Sequence, residues 1–227
     1  MIRVYYLNIK DYSGLTDAFF KGGFPESSWK RIGGFRNERV RRTKILGEGV
    51  VRSILFKETG RSPENYSIAF GSHGKPYVVG LDFFHFNISH SGDYVVCAVS
   101  DSEIGIDIER IGKARMEVAG RFFHPGEINV LESLSEVRQN DAFFSYWSVK
   151  EAFLKYTGAG LSVPLSAFEV VFECNGIIVR QPEGTVRVSV RPCPVDEGYK
   201  CYVCSAADEQ TEVCRWEVGD FEFPRIL

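Results

Sequence analysis

Between Ile104 and Glu109 apolar and polar positions alternate: Ile104, Ile106 and Ile108 take one side, Gly105, Asp107 and Glu109 the other. A two-residue period predicts a strand with its apolar face inward and both carboxylates pointing the same way. Similar or more apolar runs predict strands from Val4 to Ile9, Ser67 to Phe70, Phe86 to Ser89 and Tyr94 to Ser100. In the second half they predict strands from Phe168 to Glu173, Ile177 to Arg180, Val186 to Val190, Tyr199 to Ser205 and Glu212 to Val218. Ser91-Gly92-Asp93 supplies a turn between two of the earlier ones.

A period near 3.6 marks the helices. Val40, Leu46, Val50, Ile54 and Leu55 predict one from about Arg36 to Glu58. Gly47 and Gly49 are unfavourable inside it, which predicts close packing against that stretch. A second long helix is expected from Asn140, a good N-cap, to Tyr156, with Gly158 ending it. Its apolar residues (Phe143, Phe144, Trp147, Val149, Phe153, Tyr156) surround the axis, the pattern of a buried helix. Glu151 then lies partly inside and needs a partner, and Lys155, four residues on, is its stacked neighbour. Shorter helices are expected before Phe122-Phe123 and from Pro125. Each half runs helix first and then sheet, giving an α+β fold of two similar halves, residues 1–104 and 105–227.

Composition excludes more than it selects. The 227 residues are 44% hydrophobic and 25% charged, ordinary for a globular protein, and a net charge of −3 gives no global field for nucleic acid or an anionic membrane. A polyanionic ligand must therefore meet locally clustered cations. No run approaches the ~20 apolar residues of a membrane span, and Met1 to Tyr6 lacks the layout of a secretory signal, so a cytoplasmic location is the default expectation. Cys201 and Cys204 have knuckle-like spacing, but residues three apart on a strand face opposite ways, and no second such pair follows. Buried free thiols are expected instead.

The chemistry concentrates in two segments. Asp107 and Glu109 on a strand, with Glu151 and Lys155 on a helix, are a set that a divalent cation and a phosphate chain could use together. Magnesium takes oxygen ligands, typically one or two carboxylates plus phosphate and water, and lysine is a mobile point charge for phosphate. Each pair has a plainer reading on its own: a solvated strand face for the acids, a helical ion pair for Glu151 and Lys155. Only their joint occurrence points to phosphoryl-group chemistry.

Gly105-Ile106-Asp107 followed by Trp147-Ser148-x-Lys150-Glu151-Ala152-Phe153-x-Lys155 resembles the signature of the 4'-phosphopantetheinyl transferases. Gly74-Lys75-Pro76, Phe86-Asn87-Ile88-Ser89-His90-Ser91, Phe122-Phe123-x-x-x-Glu127 and Lys155-Tyr156-x-Gly158-x-Gly160 match further segments of the long, surfactin-synthetase-activating type, in order. The resemblance implies two α/β subdomains with antiparallel sheets arranged as a pseudo-dimer, acting as a monomer. It implies a magnesium-dependent enzyme that moves phosphopantetheine from coenzyme A to a serine of an apo acyl or peptidyl carrier protein, releasing adenosine 3',5'-bisphosphate.

By resemblance, Asp107, Glu109 and Glu151 hold magnesium against the pyrophosphate, Asp107 adjoins the coenzyme, and Lys155 contacts the phosphates with Lys150 as a secondary candidate. Glu151 is the first choice of base for the serine, with Glu127 and Lys155 as alternatives. His90 and Ser89 lie at the nucleotide, His90 on its 3'-phosphate, and Lys75 and Pro76 lie along it. Arg31, Lys44 and the neighbouring Arg42 complete the pocket, while Ser28 stands where many relatives carry lysine. The first half would bind the nucleotide; the second would carry the metal signature and dock the carrier, on Lys113, Arg115, Met116 and Arg121. Two rivals share these residues: a magnesium-dependent phosphohydrolase, and a binding module of the same fold without catalysis. No nucleic acid or membrane partner is expected.

Overall fold

The computed structural model describes residues 1–182, 184–206 and 209–223. In the first half, strand β1 (Ile2–Asn8) leads through short helices α1 (Asp17–Phe20) and α2 (Glu26–Gly33) to the long α3 (Glu38–Thr59). Strands β2 (Ile68–Phe70), β3 (Pro76–Val78), β4 (His85–Ser91) and β5 (Tyr94–Ser100) follow. The second half opens on β6 (Ile104–Arg110) and passes through α4 (Met116–Phe122) and α5 (Pro125–Glu132) to the long α6 (Glu136–Thr157). It then forms β7 (Glu169–Glu173), β8 (Gly176–Gln181), β9 (Gly184–Val186), β10 (Ser189–Pro192), β11 (Tyr199–Ser205) and β12 (Thr211–Arg215). No described helix is long and apolar enough to cross a membrane.

The two halves repeat one topology. The first sheet contains the order β1-β5-β4, the second β6-β11-β10: an opening strand, then the last strand of the unit, then the one before it, all antiparallel. A 22-residue helix follows each opening strand at some distance, and each ends on a left-handed glycine, Gly60 at φ 65° and Gly158 at φ 68°. The face carrying Ile2 and Val4 on β1 and the face carrying Ile104, Ile106 and Ile108 on β6 share one buried cluster between the sheets. Each helix covers the other face of its own sheet. The α+β class with antiparallel sheets is therefore as expected.

Four details differ from the sequence expectations. Helix α6 begins at Glu136, with Ser135 at the N-cap, not at Asn140. Asn140 lies inside the helix, where its Oδ1 accepts from the Ala114 N–H at 2.7 Å and ties down the chain beyond β6. The run from Val186 to Val190 is the end of β9 and the start of β10, not one strand. The last strand leaves the second half: β12 pairs parallel with β1, Ile2 opposite Thr211, and Trp216 and Phe221 join the core of the first half. The cysteines are all free, but Cys174 is exposed and Cys214 half-buried, so buried thiols describe only the other four.

The helix glycines pack as expected. A Cβ at Gly47 would stand 3.0 Å from Ile88, and one at Gly49 3.0 Å from Phe20 and Phe221. The tightest approach to backbone is at Gly105 on β6, where a Cβ would fall 2.2 Å from the carbonyl oxygen of Ala152 and 2.2 Å from the Tyr156 nitrogen. Helix α6 thus lies on the bare backbone of β6 between Glu151 and Lys155, and that contact sets their height over Asp107.

Candidate active site

Asp107 and Glu109 face α6, on the side of β6 opposite the buried isoleucines. A second tie holds helix to strand: Ser148 Oγ donates to the Asp107 carbonyl at 3.0 Å. Lys155 Nζ donates to Asp107 Oδ1 at 2.6 Å and to Ser89 Oγ at 2.9 Å, and Ser89 Oγ itself donates to Asp107 Oδ1 at 2.8 Å. The other Asp107 oxygen, Oδ2, is buried without a hydrogen-bond partner. An unpartnered buried carboxylate oxygen is unfavourable, so a cation is the chemistry this atom asks for.

The neighbouring acids feel the same field. Burial, then the Asp107 charge, pushes the Glu109 carboxyl up from 4.5 to about 7. Burial and Asp107 push Glu151 above the ordinary carboxylate range as well, while Lys155 opposes the shift. Three carboxylates beside one ammonium fit a hard divalent cation by donor chemistry. Among the described residues no three such groups close around a common point. Ser91 holds Glu109, and Lys155 lies on Asp107.

Beside the acids a cleft of about 380 Å³ opens between the halves. Its walls come from α2 and α3 (Arg31, Thr43, Lys44, Glu48), the β2–β3 hairpin (Phe70, His73, Lys75, Pro76), β4 (Phe86, Asn87, His90) and α6 (Glu151, Leu154, Lys155). Lys44 Nζ stands 3.5 Å from His90 Nε2. The cleft walls and the Lys44 and Lys155 charges hold His90 below its ordinary value, and burial with Lys155 and Arg31 lowers Lys44. Crowded cations with lowered values gain most from an incoming polyanion. Arg31 pairs with Glu48 and lies over the Phe70 ring, 5.2 Å from its centroid.

Of the residues expected here, Arg31, Lys44, Lys75, Pro76, His90, Glu151 and Lys155 line the cleft, and Ser89 and Asp107 join it through Lys155. Two do not. Arg42 turns away and donates to the carbonyls of Tyr12 and Leu15, tying the N-terminal loop to α3. Lys150 is fully buried on the far side of α6, donating to the carbonyls of Leu165 and Phe168 at 2.7 Å and pairing with Glu127 at 2.8 Å. Glu127, equally buried and accepting from the Val170 N–H, is likewise outside the cleft and cannot reach a serine there. For Arg42 and Lys150, a helical position one residue from a cleft residue points elsewhere. Lys75 Nζ is held by Glu103 and the Tyr156 carbonyl, at the end of α6. Ser28 is buried, joined to Glu48 and to Arg52 at 3.0 Å.

Sequence reasoning passed over Glu48, Phe70 and His73, which no periodicity marks, and over Asn87 and Ser91, which the strand period does mark. Asn87, Ser89 and Ser91 alternate along β4 and all face β6.

Known proteins share this chain's sequence across most of its length. The family model for the 4'-phosphopantetheinyl transferase superfamily matches residues 103–204, and that for the 4'-phosphopantetheinyl transferase N-terminal region matches residues 22–102. A 4'-phosphopantetheinyl transferase of Bacillus subtilis is 39% identical over 173 residues, 76% of this chain and 77% of the relative. The 4'-phosphopantetheinyl transferase Sfp of Bacillus subtilis strain 168 is 36% identical over 80% of this chain and 81% of its own. The 4'-phosphopantetheinyl transferase gsp of Aneurinibacillus migulanus is 35% identical over 74% and 70%. With that identity, and with the motif residues gathered at one cleft, the chain belongs to the 4'-phosphopantetheinyl transferase superfamily.

Proposed function

We propose that this protein transfers 4'-phosphopantetheine from coenzyme A to the serine hydroxyl of an apo carrier protein. The observation that carries the reading is one cleft lined by Arg31, Lys44, His90 and Lys155 beside Asp107 and Glu151. In the reaction the serine oxygen forms a bond to the phosphorus on the pantetheine side of the pyrophosphate. The bond from that phosphorus to the bridging oxygen breaks, and adenosine 3',5'-bisphosphate leaves with the electron pair. Such transfers depend on positioning and on neutralising charge.

The chain's own groups divide these tasks. Arg31, Lys44 and His90 receive the nucleotide phosphates, with Lys44 and His90 close enough to share one. Lys155 anchors the pyrophosphate while bonded to Asp107 and Ser89. Glu151, whose carboxyl is raised by burial and by Asp107, takes the serine proton as general base. Asp107, Glu109 and Glu151 would hold magnesium, which when bound neutralises charge on the pyrophosphate oxygens. The first half serves the nucleotide; β6 and α6 serve the metal. The exposed Lys113, Arg115 and Arg121 on and before α4 offer a basic surface to an acidic carrier, with the molecule acting as a monomer.

The test is incubation with coenzyme A, magnesium and an apo carrier. A mass gain of one phosphopantetheine on the carrier is expected, with Glu151→Gln slowed by about 10²- to 10⁴-fold as for loss of a general base. Hydrolysis of coenzyme A without carrier modification would instead support the phosphohydrolase.

A further inference from the structure

Strands β4 and β6 are the facing edges of two different sheets, and among the described residues no backbone ladder joins them. Side chains join them instead. Asn87 Oδ1 accepts from the Ile106 N–H at 3.0 Å, Ser89 Oγ donates to Asp107 Oδ1 at 2.8 Å, and Ser91 Oγ donates to Glu109 Oε2 at 2.9 Å. Ser91 Oγ also accepts from the Arg110 N–H at 3.0 Å. Positions 87, 89 and 91 thus meet positions 106, 107, 109 and 110 rung by rung, with the period of a strand.

We infer that Ser91 is a positioning residue that aims Glu109, and that Asn87 fixes the register in which β6 presents both acids. Ser91 touches no other described carboxylate and lines no wall of the cleft. Its hydroxyl is anchored by a backbone N–H of β6, so its proton is directed outward to Glu109 and not free to rotate elsewhere. Ser89 cannot take this task, because it is committed to Asp107 and Lys155. Two adjacent acids thereby receive separate aiming hydroxyls, and Glu109 is held next to Asp107 despite the repulsion between them. The inference deepens the proposed function and rests on its reading of Glu109 as a ligand of the divalent cation.

Mn2+ binding to the enzyme–coenzyme A complex, followed by electron paramagnetic resonance, reads the role directly. A calorimetric titration of coenzyme A in EDTA runs alongside. Ser91→Ala is expected to weaken Mn2+ about tenfold, the scale of a lost hydrogen bond to a charged group, and to leave coenzyme A affinity in EDTA unchanged. Ser91→Thr, which keeps the hydroxyl, is expected to restore Mn2+ binding, and Asn87→Ala to weaken it as well. Glu109→Gln separates the two levels of the argument. If Glu109→Gln weakens Mn2+ and Ser91→Ala does not, the positioning role is refuted while the metal reading stands. If Glu109→Gln itself leaves Mn2+ at the wild-type affinity, the metal reading fails and takes the proposal with it. A Ser91→Ala that loses Mn2+, coenzyme A affinity and thermal stability together would show a merely structural hydroxyl, and would also overturn it.

Discussion

Glu109 is where the site's electrostatics become measurable. Its carboxyl stands at about 7, raised from 4.5 by burial and by Asp107. A carboxyl raised on folding binds its proton more tightly folded than unfolded, so between those two values the metal-free protein loses stability as pH rises. A cation bound by the carboxylate reverses this, because it competes with the proton. Thermal melting in EDTA and in magnesium should therefore show a small difference at pH 6 and a larger one at pH 8. The half-saturating magnesium concentration for transfer should fall over the same interval. An equal gap at both pH values would remove Glu109 from the metal site. Lys150 shows the opposite lesson at this scale: a motif residue beside Glu151 in sequence, it serves the buried core with Glu127 and never reaches the cleft.

At the scale of elements, the placement of Glu151 and Lys155 depends on how closely α6 lies on β6. Gly105 permits that approach, since any side chain there would overlap the helix backbone. Gly105→Ala should force α6 outward; overpacking of this kind costs about 1–3 kcal/mol, and a shift of about 1 Å at reacting groups costs on the order of 10²-fold in rate. Activity should thus fall further than stability, read as kcat/KM against urea midpoint. A variant with wild-type kinetics would show that the contact does not set the site. Much of this level was legible in advance. The isoleucine alternation of β6, the Gly158 stop, Pro125 at the start of α5 and the packing of Gly47 and Gly49 all follow from local chemistry. What escaped was pairing at a distance. No local signal sends the strand from Thr211 back to β1, and none separates Arg42 from Lys44, because direction around a helix is decided by tertiary neighbours.

The whole molecule repeats a unit but not a site. Ile2 and Val4 on β1 correspond to Ile104 and Ile106 on β6, so Tyr5 and Leu7 take the places of Asp107 and Glu109. Lys57 precedes Gly60 as Lys155 precedes Gly158, yet it lies over the Trp216 ring at 5.2 Å and pairs with Glu222 at 3.4 Å. The counterpart of the Asp107–Lys155 corner is therefore apolar on its strand and covered by Trp216, Phe221 and Glu222. Under the proposed function, calorimetry should find one coenzyme A per chain; two equivalent sites would contradict the assignment of the corner.

That covering has a consequence for how the protein comes into being. Trp216 and Phe221 sit in the core of the first half, and β12 completes its sheet. During synthesis the first half keeps part of its hydrophobic interior open until residues 211–221 have been made. The first half therefore cannot complete its core before the second half has been synthesised.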